Sequence, residues 1–352
     1  MTDTNLALTL FQQKDLRLVE TPIPEPREGE VQLSVRSVGI CGSDISYWQH
    51  GRIGKQVVTN PKIMGHEPSA VVSKLGPGVT RFKVGDRVAV EPLNPCGKCS
   101  LCKAGHYNVC VDLKYLSTPP TNGCLCRYFC HPASFVHRLP DDVSFDEGAL
   151  VQPLAVALHA CERGEITIGN YVFVAGAGPM GLMAVLVAKA RGASKVCVSD
   201  VVQSRLDFIK TIGADETVLV GMEEDPKVTS QRVIEALGQE VHVAIECSGQ
   251  QNAVSTAIYC TRPTGKVVLV GLGKDTVEVP LVSAILKQLD ILGMVRFSNN
   301  YDTAIEAISS GKINVKRLIT HRYSLNEAVA AFNAALNREG AKIIIDCNKA
   351  TD

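Results

Sequence analysis

The chain has 352 residues, 45% hydrophobic and 20% charged, enough apolar surface for two folded domains and too much for an intrinsically disordered polypeptide. Thirty-six basic residues balance 36 acidic ones, and no polybasic run occurs, which argues against a nucleic-acid or anionic-membrane partner. The N-terminal MTDTNLALTL lacks the basic start of a secretory signal, so a cytoplasmic protein is expected, with its 13 cysteines as metal ligands or buried thiols rather than a disulfide framework.

Up to about residue 150 the chain alternates short β-like runs with turn residues. Val31–Val38, Ser69–Leu75 and Arg87–Val90 are the clearest, punctuated by Gly76-Pro77-Gly78 and Gly85-Asp86. Near residue 155 the texture changes. Ile166–Ala188 carries no charge and is long enough to span a bilayer, but Gly176, Gly178, Pro179 and Gly181 interrupt it. A strand, a tight turn and a buried helix explain it better. Tyr171–Ala175, Lys195–Ser199, Thr217–Val220, Val241–Cys247, Gly265–Val270 and Ile291–Val295 read as six strands with helices between most of them, hence a parallel, doubly wound sheet. Two helical patterns and a strand, Lys342–Asp346, follow, and periodicity assigns this tail to neither domain.

Gly176-Ala177-Gly178-Pro179-Met180-Gly181 is a G-x-G-x-x-G between an apolar strand and an apolar helix. In that context the glycines permit a tight turn, and the helix N-terminus offers free N–H groups to a pyrophosphate. Asp200 ends the next strand, 19 residues after Gly181. A carboxylate there can accept both adenosine-ribose hydroxyls and repels a 2′-phosphate, favouring NAD over NADP. Arg205 lies close by in sequence. The structural alternative is a Rossmann-like domain that binds nothing, with the aspartate as a helix N-cap.

Cys96, Cys99, Cys102 and Cys110 fall within 15 residues, the spacing of a closed four-thiolate zinc site with no position left for substrate. An iron–sulfur cluster is the lesser competitor, and Lys98 and Lys103 can offset the negative charge. Cys41, in Gly39-Ile40-Cys41-Gly42-Ser43-Asp44, and His66-Glu67 are plausible ligands of an open, catalytic zinc. Spacing alone does not distinguish them from a buried thiol and a common dipeptide. Cys124, Cys126 and Cys130 alternate like one buried strand face, and Cys161, Cys197, Cys247, Cys260 and Cys347 sit among apolar neighbours. Met180 and Met183 read as helix core.

Taken together, Val38–Asp44, Gly51–Gly54, Gly65–Glu67, Gly85–Pro92, Thr118-Pro119-Pro120, Gly176–Gly181 and Val295–Asn299 resemble the zinc-containing medium-chain alcohol dehydrogenase family, most closely its polyol branch, over essentially the whole chain. The resemblance implies a GroES-like β domain, residues 1–154 and 296–352, with an inserted Rossmann NAD-binding domain, residues 155–295. It implies a homotetramer, or alternatively a dimer, and two zinc ions per chain. Cys41, His66 and Glu67 match the catalytic zinc ligands, with the fourth position left to water or Gln152; Cys96, Cys99, Cys102 and Cys110 match the structural ones. Cofactor contacts carry over to Met180, Asp200, Arg205, Gly271, Leu272, Gly273, Val295, Arg296 and Phe297, and substrate contacts to Tyr47 and Arg296.

Three positions depart from the branch. Ser46 stands where a relay histidine is common, Gln152 where a glutamate precedes Pro-Leu, and Phe297 where a tyrosine follows the substrate arginine. The first two remove titratable groups from the proton path, leaving Ser43, cofactor ribose and waters; a lost general base costs roughly 10²–10⁴ in rate. The expected activity is reversible oxidation of a sorbitol- or xylitol-like polyol to a ketose with NAD. The alternatives are another secondary alcohol, threonine- or butanediol-like, and a weakly active paralogue that binds NAD and zinc.

Overall fold

The structure, a computed structural model, describes residues 4–347. It divides into two compact units. The first runs to Gln152 and takes in Tyr301–Gly311 and the chain from Val315 onward; the second comprises Pro153–Asn300 and Lys312–Asn314. The expected limits were 154/155 and 295/296.

The first unit is built on a seven-stranded sheet. Its longest strand, Glu30–Gly39, pairs antiparallel with Pro68–Leu75, Tyr128–Pro132 and Lys342–Asp346. Val31, Leu33, Val35 and Val38 supply its fully buried apolar residues, as β-branched and leucine side chains do on a pleated surface. The core continues through Trp48, Met64, Leu125 and Phe332. A smaller sheet of Asp15–Thr21, Asn5–Gln12 and Lys62–Ile63 and two short two-stranded pairs belong to the same unit.

The tail left open by periodicity belongs to this unit. Lys342–Asp346 pairs with Ser37–Gly39, and a further strand, Ile319–Ser324, pairs parallel to it. The cysteine reading needs a correction. Cys124 and Cys126 are fully buried, but a strand begins only at Tyr128, and Cys130 lies on its half-exposed face with Sγ 3.4 Å from the Pro24 carbonyl. Cys247 is likewise only partly buried, whereas Cys161, Cys197, Cys260 and Cys347 are buried.

The second unit is a six-stranded parallel sheet in the order Glu216–Leu219, Lys195–Asp200, Tyr171–Ala175, Val241–Glu246, Thr261–Leu269, Asp290–Gly293. The central strand is first in sequence, so the chain winds outward on both sides of it. Ligands of such sheets bind beyond the carboxyl ends at this reversal. The uncharged stretch resolves into the strand Tyr171–Ala175 and the helix Pro179–Ala190. Among the described residues no helix is long and apolar enough to cross a membrane.

Candidate metal centres and dinucleotide-binding turn

Cys41 caps the helix Gly42–His50, directly after the strand Glu30–Gly39. His66 and Glu67 precede the neighbouring strand Pro68–Leu75, behind Gly65, whose φ of +87° suits glycine. The fold thereby brings one ligand atom each from Cys41, His66 and Glu67 within 4.8 Å of one another.

Asp44, three residues into the helix and wholly buried, organises this group. Its Oδ2 accepts the Cys41 N–H at 3.2 Å. Its Oδ1 accepts the Gly65 N–H and the Ser117 hydroxyl, each at 3.3 Å, and lies 3.4 Å from His66 Nδ1. Burial works against ionisation of Asp44, but His66, the Cys41 N–H and Lys62 hold it below its usual value. Burial likewise opposes a charged His66, yet Asp44 and Cys41 raise it well above its ordinary value when no metal is bound. With Nδ1 held by a carboxylate, Nε2 is left for a metal, the usual carboxylate–histidine arrangement.

Glu67 is 1% exposed and forms an ion pair with buried Lys342, whose Nζ also donates to the Ile40 carbonyl at 3.0 Å. Its carboxylate lies over Gly39, where a Cβ would come within 2.1 Å of Oε2. A thiolate, an imidazole and a carboxylate converging in this way match the donor types of an open zinc site, and a dication would balance their charge. The residues fit the metal.

Around this group, Gln152 is buried and donates Nε2 to the Tyr115 hydroxyl at 3.0 Å; the Tyr115 ring is 5.6 Å from that of His66. Ser43 occupies the first turn of the Cys41 helix and is partly exposed. The Ser46 hydroxyl donates to the Gly42 carbonyl of its own helix at 3.1 Å. Tyr47 is buried, with its hydroxyl 3.0 Å from Gln56 Oε1 and the Lys62 ammonium 4.0 Å from its ring centre.

Cys96, Cys99, Cys102 and Cys110 also place their sulfurs within 4.8 Å of one another. Backbone N–H groups already point at them: Cys99 N–H at Cys96 Sγ, 3.4 Å, Cys102 N–H at Cys99 Sγ, 3.5 Å, and Cys96 N–H at Cys110 Sγ, 3.3 Å. The Cys102 N–H is the main cause that draws Cys99 down to about 6, while burial and then the neighbouring thiols push Cys102 up to about 12. Four thiolates cannot coexist here without a cation, which is what a structural zinc supplies.

In the second unit, Gly176 has φ +102° and donates its N–H to the Ser199 carbonyl at 2.8 Å. Gly181 lies so close to Gly176 that a Cβ would fall 1.9 Å from its carbonyl oxygen. Nothing lies within 4 Å of a Cβ placed on Gly178, which caps the helix Pro179–Ala190, so that approach is open. Asp200 accepts the Ala177 N–H on Oδ2 at 2.8 Å and the Val202 N–H on Oδ1 at 2.9 Å. Each carboxylate oxygen keeps a second lone pair for a ribose hydroxyl. Arg205 stands 3.9 Å from Asp200. Met180 is partly exposed beside the open glycine, which corrects its reading as core; Met183 is buried.

Gly271 and Gly273 pack against Gly249, where Cβ atoms would meet its backbone at 2.1 and 1.8 Å, and Leu272 between them is exposed. Val295 is exposed, Arg296 holds a left-handed φ of +54°, and Phe297 is fully buried. Such a backbone in a non-glycine residue is held by its surroundings and is common at functional sites.

Several organising residues escape sequence reasoning. Asp44 carried a signal, as the residue completing a helix first turn behind Cys41. Lys342, Tyr115, Ser117 and Lys62 carried none. Glu246 is buried at the end of its strand, and its carboxylate accepts the Ser248 and Gly249 N–H groups at 2.7 and 2.9 Å.

Residues 27–141 match the alcohol dehydrogenase GroES-like domain, and residues 179–310 the zinc-binding dehydrogenase domain. The chain is 46% identical over 347 residues to sorbitol dehydrogenase of Gallus gallus, covering 99% of this chain and 98% of that one. It is 45% identical over 344 residues to sorbitol dehydrogenase of Homo sapiens, covering 98% and 96%. A crystal structure of an Escherichia coli oxidoreductase/dehydrogenase of unknown specificity superposes with a TM-score of 0.92 at 34% identity, over 98% of this chain and 100% of that one. The resemblance seen in the motifs is borne out, and the chain belongs to the zinc-binding alcohol dehydrogenase family.

Proposed function

We propose that this chain oxidises a sorbitol- or xylitol-like polyol to the matching ketose with NAD, reversibly, using one of two zinc ions per chain. The observation that carries the reading is the Cys41–His66–Glu67 donor set, backed by Asp44 and Lys342. The near full-length similarity to sorbitol dehydrogenases supports the substrate class.

A zinc held by this set would polarise the carbinol oxygen, and NAD would accept the hydride. The chain's own part is to hold these groups and to manage the proton. Asp44 fixes the His66 ring, and Lys342 fixes the Glu67 carboxylate. Ser43, in the first turn of the Cys41 helix, is the nearest hydroxyl in sequence that can pass a proton outward. Tyr47 and Arg296 are the polyol contacts. The turn Gly176–Gly181 receives the pyrophosphate, with Met180, Gly271–Gly273 and Val295–Phe297 lining the rest of the cofactor path. Asp200 selects NAD, with Arg205 beside it. Cys96, Cys99, Cys102 and Cys110 hold the second zinc.

A weakly active enzyme is the second reading, and one observation favours it. The Ser46 hydroxyl is committed to its own helix, and the Gln152 amide to Tyr115. Steady-state rates with sorbitol, xylitol, threonine and 2,3-butanediol, with zinc counted in the same sample, separate the readings. Turnover of either polyol at least tenfold better than of the other two upholds the proposal. Zinc without turnover of any of them upholds the second.

The assembly proposed is a homotetramer, with a dimer as the alternative. The strand Asp290–Gly293 ends its sheet, and the adjacent helix Leu281–Leu286 exposes Leu281, Val282, Ile285 and Leu286, a surface suited to a second copy. Light scattering on the purified protein tests this. Thirteen unpaired cysteines support a reducing compartment, the cytoplasm.

A further inference from the structure

Lys62 is 3% exposed, unusual for a lysine, and lies on the short strand Lys62–Ile63 opposite Leu10. Its ammonium donates to the Ser117 carbonyl and, at 3.2 Å, to the Ser117 hydroxyl, with the face of Tyr47 4.0 Å away. Ser117 adopts a left-handed φ of +59°, costly for serine, and in this conformation both of its oxygens meet the lysine. The Ser117 hydroxyl in turn donates to Asp44 Oδ1, the same oxygen that stands 3.4 Å from His66 Nδ1. Lys62, Ser117, Asp44 and His66 thus form an unbroken buried path, none of them more than 5% exposed.

We propose that Lys62 is a positioning residue for the Cys41–His66–Glu67 centre, acting through Ser117 and Asp44 on His66. The inference rests on the zinc reading above. Burial lowers the lysine to about 8, with Asp44 resisting, so it stays mostly protonated near neutral pH. Its charge draws electron density from the oxygen that Asp44 shares with His66. Asp44 then accepts less strongly from the ring, and the ring donates less to a bound metal. Two effects of opposite sign follow. A metal there would be held less tightly and would polarise a substrate oxygen more strongly. A lysine that only filled space would loosen the metal and slow turnover together when removed.

The test uses zinc-loaded enzyme and the variants Lys62→Met, Lys62→Arg and Ser117→Ala. Zinc release to a chromogenic chelator is followed, with the ion held by four thiolates as the internal reference. Lys62→Met is expected to slow release of the other zinc about tenfold and to lower kcat about tenfold, with KM for NAD unchanged. Lys62→Arg, which keeps the charge, is expected to restore both. Ser117→Ala is expected to give the same signs at about threefold, because Asp44 loses one donor and turns toward His66. Faster release from Lys62→Met, or both quantities within about twofold of wild type, overturns the inference. Should Lys62→Met fail to fold, Ser117→Ala decides by the sign of its release rate. A wild-type zinc count of one per chain overturns the zinc reading itself, and is read independently of the variants.

Discussion

Lys342 and Glu67, far apart in the chain and both nearly inaccessible to water, form an ion pair beside Cys41 and His66. Two buried charges of this kind are costly to separate. Lys342→Met leaves the Glu67 carboxylate unpaired and should destabilise the metal-free protein by about 3–5 kcal/mol. Adding Glu67→Gln should recover part of that loss, because the stranded charge is gone. Urea unfolding of the two single variants and the double variant checks this; equal losses for Lys342→Met with and without Glu67→Gln count against it.

Gly39 is a glycine for want of space. A Cβ there would overlap the Glu67 carboxylate at 2.1 Å. Gly39→Ala should displace that ligand and lower zinc content from two per chain toward one. Metal analysis reads the outcome, with the four-cysteine site as the retained ion.

The four-thiolate lobe is expected to act as a structural clamp. Cys99→Ser removes the thiol that the Cys102 N–H draws down to about 6. It should cost one zinc and lower the melting temperature markedly, since binding energy at such a site is folding energy. An unchanged melting temperature after loss of that ion would contradict it.

The Asp200 carboxylate ties down Ala177 and Val202, and on the proposed reading it would also accept the ribose hydroxyls. Asp200→Ser should therefore weaken both dinucleotides, but NAD more, shifting the NADP-to-NAD ratio of kcat/KM upward by about tenfold or more. Steady-state kinetics with both cofactors measures that ratio. Wild-type enzyme with equal kcat/KM for both would remove the basis of the expectation.

The pH dependence of metal binding follows from His66. Burial alone lowers its affinity for a proton, but Asp44 and Cys41 raise it well above 6.5 in the folded, metal-free protein. The proton on His66 therefore stabilises the metal-free fold fully below 6.5, and this contribution fades as pH rises through the higher folded-state value. Zinc needs the neutral ring, so in the loaded protein the proton competes with the metal. Apparent zinc affinity of this site should fall by at least about tenfold per pH unit on the acid side. Competition titrations against a calibrated chelator at several pH values give the slope.

What the sequence disclosed was what lies close together along it. The turn Gly176–Gly181 and the cluster Cys96–Cys110 are each local, so spacing and flanking periodicity were enough. The six parallel strands were legible because each is a short apolar run. Ile319–Ser324 was not, since Thr320, His321 and Arg322 dilute its pattern and only pairing to Lys342–Asp346 makes it a strand. The Cys41, His66 and Glu67 group needed the family resemblance, because its members converge through sheet pairing. Asp44, Ser117, Lys62 and Lys342 act through contacts that exist only after folding. Cys130 departs from the period-two pattern of residues 124–130 because the strand starts only at Tyr128.

The strand Lys342–Asp346 lies at the far end of the chain, yet it docks on Ser37–Gly39 and delivers Lys342 to Glu67. The two metal centres therefore have different histories during synthesis. The four thiols of 96–110 emerge together from the ribosome and can capture zinc while the rest is still being made. The other centre gains the cation that steadies Glu67 only after residue 342 has been added. A nascent chain stalled before residue 342 should hold the four-thiolate zinc firmly and the other only loosely, since Glu67 still lacks its Lys342 partner.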